Sequence, residues 1–305
     1  MSRTDNIACL TGGGTAPELM SEAVLALGRV VRLHNLCIRE RHATFGGVAF
    51  ARGAQMVPAA TRSVLHEADA VLVAGAEEPP LAQVIGELDL RAQVTRVRFG
   101  RHHDVVVVAP RFTDAAEWTV EKAFSVAEGR TLRLASAGDR DWTELVDHVA
   151  AGHEHVAVEH VAPRLAFPLA AFHPSRFDVV LVASAWAEAM GEIVAASSSA
   201  RVAAHGLLAE HGPSVFVPSA DGGFALAGAG VVNPSSMLLA AATMLDLGLG
   251  HRAAAETLAG AVSAALVDGP KTPDLLQRGI GATTREFTRH VIEAFQLTQP
   301  WSAAA

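Results

Sequence analysis

Residues able to do chemistry occur along this chain in small groups. The stretch "TGGGTAPEL" (11–19) puts a glycine cluster between a short apolar run and a segment of helical spacing. In that setting backbone amides and a helix N-terminus can receive phosphate. The spacing is not GxGxxG, and the Lys-Ser/Thr that closes a P-loop is missing, so the glycines read as a structural turn. Histidines cluster in "GHEHVAVEHV" as His153, His155 and His160. On a strand His153 and His155 share a face, and zinc is one reading. A solvated strand edge is the preferred reading, because no cysteine and no third ligand at diagnostic spacing accompanies them. Glu188 and Glu192 stand four apart on a helical stretch. They read either as an acid/base pair in a cleft or, preferably, as a surface face. "RHHD" (101–104) reads as a polar lead-in to an apolar strand. The chain has no tyrosine and only two lysines, Lys122 and Lys271. A mechanism that needs a phenol is excluded, and one that needs an amine must use one of those two.

The elements that would position these groups alternate. Ile7–Leu10, Val30–Cys37, Ala70–Ala74, Val105–Val108, Thr131–Leu134, Val156–Val161 and Val179–Ala183 read as strands. Glu18–Leu27, Pro58–Glu67, Trp142–Ala150 and Ala185–Ser197 read as helices between them. Three long alanine-rich helices are expected at the end, over Pro234–Leu247, Arg252–Val267 and Thr284–Phe295, with Gly248 and Gly250 as a stop between the first two. The fold class is α/β.

With 305 residues, half of them hydrophobic, the chain can build one large or two moderate cores. Its formal charge is −8 and no Lys/Arg stripe is present, which excludes nucleic acid as a partner class. Cys9 and Cys37 lie in apolar runs and read as buried free thiols. No apolar run is long enough to span a bilayer and no signal core is evident, so no membrane contact and a soluble, cytoplasmic location are expected.

Several segments, in order along nearly the whole chain, resemble one family, the isopropylmalate/isocitrate (β-decarboxylating) dehydrogenases. In "TGGGTAPEL", Gly12, Gly14, Pro17 and Glu18 match the family's "GDGIGPE". "FGGVAFARGAQMVPAATRSVLHEADAVLVAGA", "RFDVVLVASAW", "AGAGVVNPSSMLLAAATMLDLGL" and "TPDLLQRGIGATTREFTRHVIEAF" resemble later family segments. The resemblance implies two α/β domains around a central cleft, with 1–99 and 216–305 forming the first and 100–215 the second. It also implies a dimer joined through second-domain helices. The stripe Trp186, Ala189, Met190 and Ile193 fits such an interface.

Carried over residue by residue, the resemblance implies a divergent site. The family's three metal aspartates fall on Arg164, Ala189 and Ile193, and its catalytic lysine falls near Ser136. Its three substrate arginines fall on Ile85, Thr95 and Ala109. The adenine-side histidine falls on Ala220 and the ribose aspartate on Ala225, while Glu77-Glu78 replace a Gly-Gly near the nicotinamide. Gly228, Gly230, Asn233 and Pro234 survive as a remnant of the cofactor motif. The segment between Val108 and Lys122 is much shorter than in relatives, and with it go the loop bearing the family's tyrosine and much of the dimer arm. No metal is therefore expected, because a hard cation needs anionic oxygens, and no NAD is expected either. Arg164 has two readings, a grip on a ligand carboxylate or an ion pair with Glu188, Glu192 or Asp139. The expectation is a non-catalytic or regulatory paralogue, as a homodimer or paired with a related subunit. The alternative is a repurposed metal- and NAD-independent enzyme acting on a small carboxylic acid. An NAD-dependent oxidative decarboxylase is the least favoured reading.

Overall fold

The computed structural model describes residues 4–75, 82–83, 86–183, 186–196, 201–219, 223–276 and 280–295. Ten strands form one sheet in the order β2-β1-β3-β10-β9-β4-β5-β8-β6-β7. They are β1 (Asp5–Thr11), β2 (Ile38–Thr44), β3 (Ala70–Ala74), β4 (Leu90–Phe99), β5 (His103–Pro110), β6 (Arg133–Ala137), β7 (Ala157–His160), β8 (Val179–Val182), β9 (Arg201–Ala209) and β10 (Ser214–Pro218). The outer strands on each side pair in parallel, β2-β1-β3-β10 and β5-β8-β6-β7. The central contacts β10-β9, β9-β4 and β4-β5 are antiparallel and join the two parallel halves.

The helices are α1 (Ala16–Leu33), α2 (Gly46–Ala51), α3 (Ala59–His66), α4 (Ala116–Glu128), α5 (Arg140–Ala150), α6 (Pro163–Phe172), α7 (Ala187–Ala196), α8 (Ser235–Thr243), α9 (Arg252–Asp268) and α10 (Thr284–Ala294). A π-turn, Met244–Gly248, extends α8. Helices α1, α4, α5, α8, α9 and α10 share the largest core with one face of the sheet. The other face is covered in two patches. Helix α3, with Phe45 and Val57 from the segments flanking α2, packs over β1 and β3. Helices α6 and α7 pack over β5, β6, β8 and the end of β4 that carries Val97 and Phe99.

Between these two patches the central strands show a period of two. In β4, Ala92, Val94 and Arg96 are buried, while Gln93 and Thr95 are half-buried. In β9, Val202, Ala204 and Gly206 are buried, while Ala203 and His205 are half-buried. Successive strand side chains point to opposite faces. One face of the sheet centre therefore lies under the helix layer, and the other is a shallow groove floored by β4 and β9.

Two expected strands are corrected. Val30–Cys37 is not a strand: helix α1 runs on to Leu33, and β2 begins at Ile38. Buried Ala23, Ala26, Leu27 and Val30 continue one helical stripe, and packing of that stripe overrides the β preference of Val30-Val31. Thr131–Leu134 begins too early, because Leu132 has φ +59° and ends a turn, and β6 starts at Arg133. Cys9 is buried as expected, but Cys37 is exposed just ahead of β2. The His153/His155 pair precedes β7 in a turn, so it lies on no strand face. His153 bridges Glu121 and Glu128 at 2.9 and 2.7 Å, and His155 reaches Glu128 at 2.9 Å. These carboxylates hold the His153 imidazole above its ordinary pKa. Among the described residues no group of three or more His, Cys, Asp or Glu side chains is placed to hold a metal ion.

The two lysines lie away from the groove. Lys271 donates to the carbonyls of Leu266 and Val267 at the C-terminal end of α9. Lys122 is on α4, on the opposite face of the sheet, where burial lowers its pKa against the pull of Asp246.

At the sheet centre Arg96 is fully buried, and its guanidinium meets three carboxylates. Asp104 lies at 2.6 Å, Glu256 at 2.7 Å and Asp246 at 3.5 Å. Arg98 and Arg130 also reach Asp104, at 2.9 and 3.4 Å. Burial alone would raise the Asp104 carboxyl, but Arg96, Arg130 and Arg98 outweigh it and hold it well below the usual carboxylate range. We predict that Asp104→Ala, which removes the carboxylate shared by the buried Arg96, Arg98 and Arg130 guanidinium groups, destabilises the fold by about 3–5 kcal/mol in urea unfolding. Because the folded pKa is depressed, the contribution of Asp104 is complete above its unfolded pKa of about 4 and is lost as pH falls toward the folded value. The wild type should accordingly lose stability below about pH 4 more steeply than the variant.

Candidate functional site

The groove is built from the half-buried positions of β4 and β9 together with the middle of α7. Thr95 and His205 are directly opposite in the β4-β9 register, and Thr95 Oγ1 lies 3.1 Å from His205 Nδ1. Burial pushes the His205 imidazole down, outweighing the opposing pull of Glu192 from α7. A neutral imidazole at this place can accept a proton or a hydrogen bond. Helix α7 approaches β4 closely at Gly191, where an added methyl would lie 2.8 Å from Thr95 Oγ1. The absence of a side chain at Gly191 lets the helix sit directly over that hydroxyl.

Of the residues expected to matter, Glu192 is exposed on α7 and stands near enough to His205 to influence it. The backbone of Glu188 lies one turn earlier on α7, and its side chain is outside what is described. Ser136 is buried in β6 on the same face as Leu134, toward α4 and α5, and its Oγ has no partner among the described residues. It is thus on the far side of the sheet from the groove, and the structure does not bring it together with Glu192. Arg164 is exposed in the first turn of α6 and makes no ion pair with a described residue. The expected pairing with Asp139 or Glu192 is not formed: Pro163 starts the helix and turns the next side chain toward solvent, while Asp139 caps α5 through the amide of Trp142 at 3.0 Å. Ala189 is exposed, Ile193 is half-buried, and Ala109 is buried in β5. Ile85, Ala220 and Glu77-Glu78 lie outside the described residues.

The surviving glycine motif is used by the fold. Gly228 and Gly230 have φ values of +76° and +64°, a backbone region that favours glycine. The Gly228 amide donates to one carboxylate oxygen of Glu18, and the Gly230 amide donates to the other at 3.0 Å. Asn233 Oδ1 accepts from the Ser235 amide at 2.9 Å ahead of α8, and Asn233 Nδ2 donates to Thr272 at 2.9 Å. Pro234 is the N-cap of α8. The first turn of α1 and the 228–234 segment are therefore one structural unit. A carboxylate holds the amides that could otherwise face an anionic ligand. Ala225 is exposed in a short 3-10 turn and offers no polar group.

Sequence reasoning missed His205. Its signal was a lone histidine within "RVAAHGLLA", flanked on both sides by apolar residues and glycine. Its pairing with Thr95 became visible only in the register.

The comparisons with known proteins agree with this architecture. The family described as isocitrate/isopropylmalate dehydrogenase matches residues 111–291. The 3-isopropylmalate dehydrogenase of Streptococcus mutans is 26% identical over 94% of this chain and 98% of its own length. That of Photorhabdus laumondii is 25% identical over 94% and 97%. A β-decarboxylating dehydrogenase from Thermococcus kodakarensis superposes with a TM-score of 0.81 at 20% identity, covering 96% of each chain. The isocitrate dehydrogenase of Methylococcus capsulatus gives a TM-score of 0.78 at 15% identity, covering 96% of this chain and all of that one. The α/β sheet, the glycine turn held by Glu18 and the family match over more than half of the sequence together place this chain in the isocitrate/isopropylmalate dehydrogenase family, with its two-domain fold.

Proposed function

We propose that this family member does not carry out the NAD-dependent oxidative decarboxylation its relatives are named for, and that it serves as a non-catalytic or regulatory paralogue. One observation carries the reading. At Thr95, where the resemblance puts a substrate-gripping arginine, helix α7 closes over the strand, leaving 2.8 Å between Thr95 Oγ1 and a methyl built on Gly191. Threonine at this place cannot supply the paired donors of a guanidinium.

The metal and cofactor positions support the same reading. Arg164, Ala189 and Ile193 provide no anionic oxygen, so these residues do not fit a hard divalent cation. Ala220 and Ala225 stand where the resemblance puts the adenine-side histidine and the ribose aspartate, and neither side chain offers a dinucleotide a polar contact. The division into 1–99 with 216–305 and 100–215, and a cytoplasmic location, belong to the same proposal. Among the described residues no helix is long and apolar enough to cross a membrane.

A second reading rests on His205. A neutral imidazole bonded to Thr95 and facing Glu192 would suit a repurposed enzyme that moves a proton on a small carboxylic acid without metal or NAD.

The quaternary proposal is a dimer, with itself or with a related subunit, through α6 and α7. Met190 of the expected stripe is fully buried in the chain's own core, so the apolar surface shifts toward α6. Leu165, Phe172 and Trp186 are 54%, 78% and 41% exposed, and Trp186 packs on Phe167 at 5.5 Å between ring centres.

Three outcomes follow. Purified protein should form no NADH from isopropylmalate or isocitrate with Mg²⁺ or Mn²⁺; steady NADH formation by protein free of host enzyme would end the non-catalytic reading. Sedimentation at micromolar concentration should give the mass of two chains, and Phe172→Glu should shift it toward one. A screen of small carboxylic acids should find no turnover; a turnover present in the wild type and abolished in His205→Gln would favour the second reading over the first.

A further inference from the structure

A cavity of about 450 Å³ opens where the end of the β4-β5 hairpin, the 129–133 turn, the approach to β8 and the start of α9 meet. Its size is within the range of small-molecule sites. It lies on the face of β4 that carries Arg98, across the sheet from Thr95 and His205. It is therefore separate from the groove and independent of the reading given to the groove. Its lining holds five arginines, at 98, 130, 133, 176 and 252, against three carboxylates, Asp104, Asp178 and Glu256. The chain as a whole carries a formal charge of −8, so a cationic cavity is a local concentration against the general trend.

The floor and the rim differ. In the floor, Arg98 bonds Asp104 and Glu256 at 2.9 and 3.1 Å, and Arg130 bonds Asp178 at 2.6 Å. These charges satisfy one another and fix the base rigidly. On the rim, Arg176 is engaged by Glu159. The side chains of Arg133, His102 and His103 have no polar partner among the described residues. Arg252 makes a loose ion pair with Asp246 at 3.6 Å, beyond hydrogen-bond length, and its other donors have no partner among the described residues. His103 is held at the mouth by stacking on Phe99, with 4.9 Å between ring centres. A fixed, neutralised base beneath planar donors that are free or only loosely paired can receive several anionic oxygens at once.

We propose that this cavity binds a small polyanion, a molecule with two or more phosphate or carboxylate groups, through Arg133 and Arg252 with His102 and His103 at the entrance. The site assigns a ligand role to "RHHD", whose histidines do more than lead into β5.

The test is calorimetric titration of the full chain in low-salt, phosphate-free buffer, with sodium pyrophosphate in one arm and citrate in the other. At least one should bind with a single site per chain, and the tighter arm identifies phosphate or carboxylate as the natural chemistry. Arg133→Glu and Arg252→Gln should each weaken that binding by about 10-fold or more. The Arg133→Glu protein should melt like the wild type without ligand, since the exposed Arg133 has no partner to lose. Arg140→Glu, a charge reversal on exposed α5 outside the cavity, should leave affinity unchanged. The proposal is overturned by absence of saturable heat for both anions up to ~10 mM. It is equally overturned if both cavity variants keep wild-type affinity, or if Arg140→Glu weakens binding as much as Arg133→Glu.

Discussion

The rest of the structure depends on one buried guanidinium. Arg96 sits in the middle strand of a ten-stranded sheet with no exposure, and a charge in that position must be paired. Its partners come from three separate places: Asp104 from β5, Asp246 from the π-turn and Glu256 from α9. Each of those elements brings its carboxylate to the same point. The π-turn Met244–Gly248 is part of this, since a wider turn than an α-helix gives is where Asp246 faces Arg96. Removing the cluster from water costs more than a surface pair returns, so its value lies in fixing register rather than in net stability. With Arg96 and Arg98 held on the helix-covered face, the alternation of β4 forces Thr95 to the opposite side. The groove floor is in this sense set by the ion cluster behind it.

Much of this was legible from the sequence. The strands β1, β3, β5 and β8 and the helices α3, α5, α9 and α10 are apolar runs or amphipathic stripes of ordinary kind. β4 is not legible, because "LRAQVTRVRF" contains three arginines and reads as polar until Asp104 and Glu256 are brought to Arg96 and Arg98, from 8 and 160 residues away from Arg96. β9 was missed for the opposite reason: "RVAAHGLLA" is rich in alanine and glycine and lacks the usual strand composition. Helix α6 carries Pro168 inside it, which argues against a helix when read locally. For the site, the glycines of the first turn read as structural from sequence, but the bond from Glu18 to Gly228 and Gly230 spans more than 200 residues and no local rule can supply it. His205 fell outside every expected constellation because its partner, Thr95, is 110 positions away.

The bond between Glu18 and the 228–230 amides also changes what the resemblance of these motifs means. Both segments carry the family's glycines, and each alone suggests a nucleotide loop. Together they form a closed contact in which donors and acceptor satisfy each other. Retention of glycine at such positions follows from φ values that other residues adopt only at a cost. The motif thus records a fold and carries no information on ligand by itself.

The two outermost strands have a consequence for how this molecule meets others. β2 reads "IRERHAT", four of its seven residues being charged or imidazole-bearing, and β7 is only four residues long and ends in Glu159-His160. Short, charged borders of this kind resist the addition of a further strand by backbone pairing. The open hydrogen-bonding rows of the sheet are thereby guarded against fibre-like stacking between copies. Any stable assembly of this chain must be read through side-chain shape and not through an extended sheet.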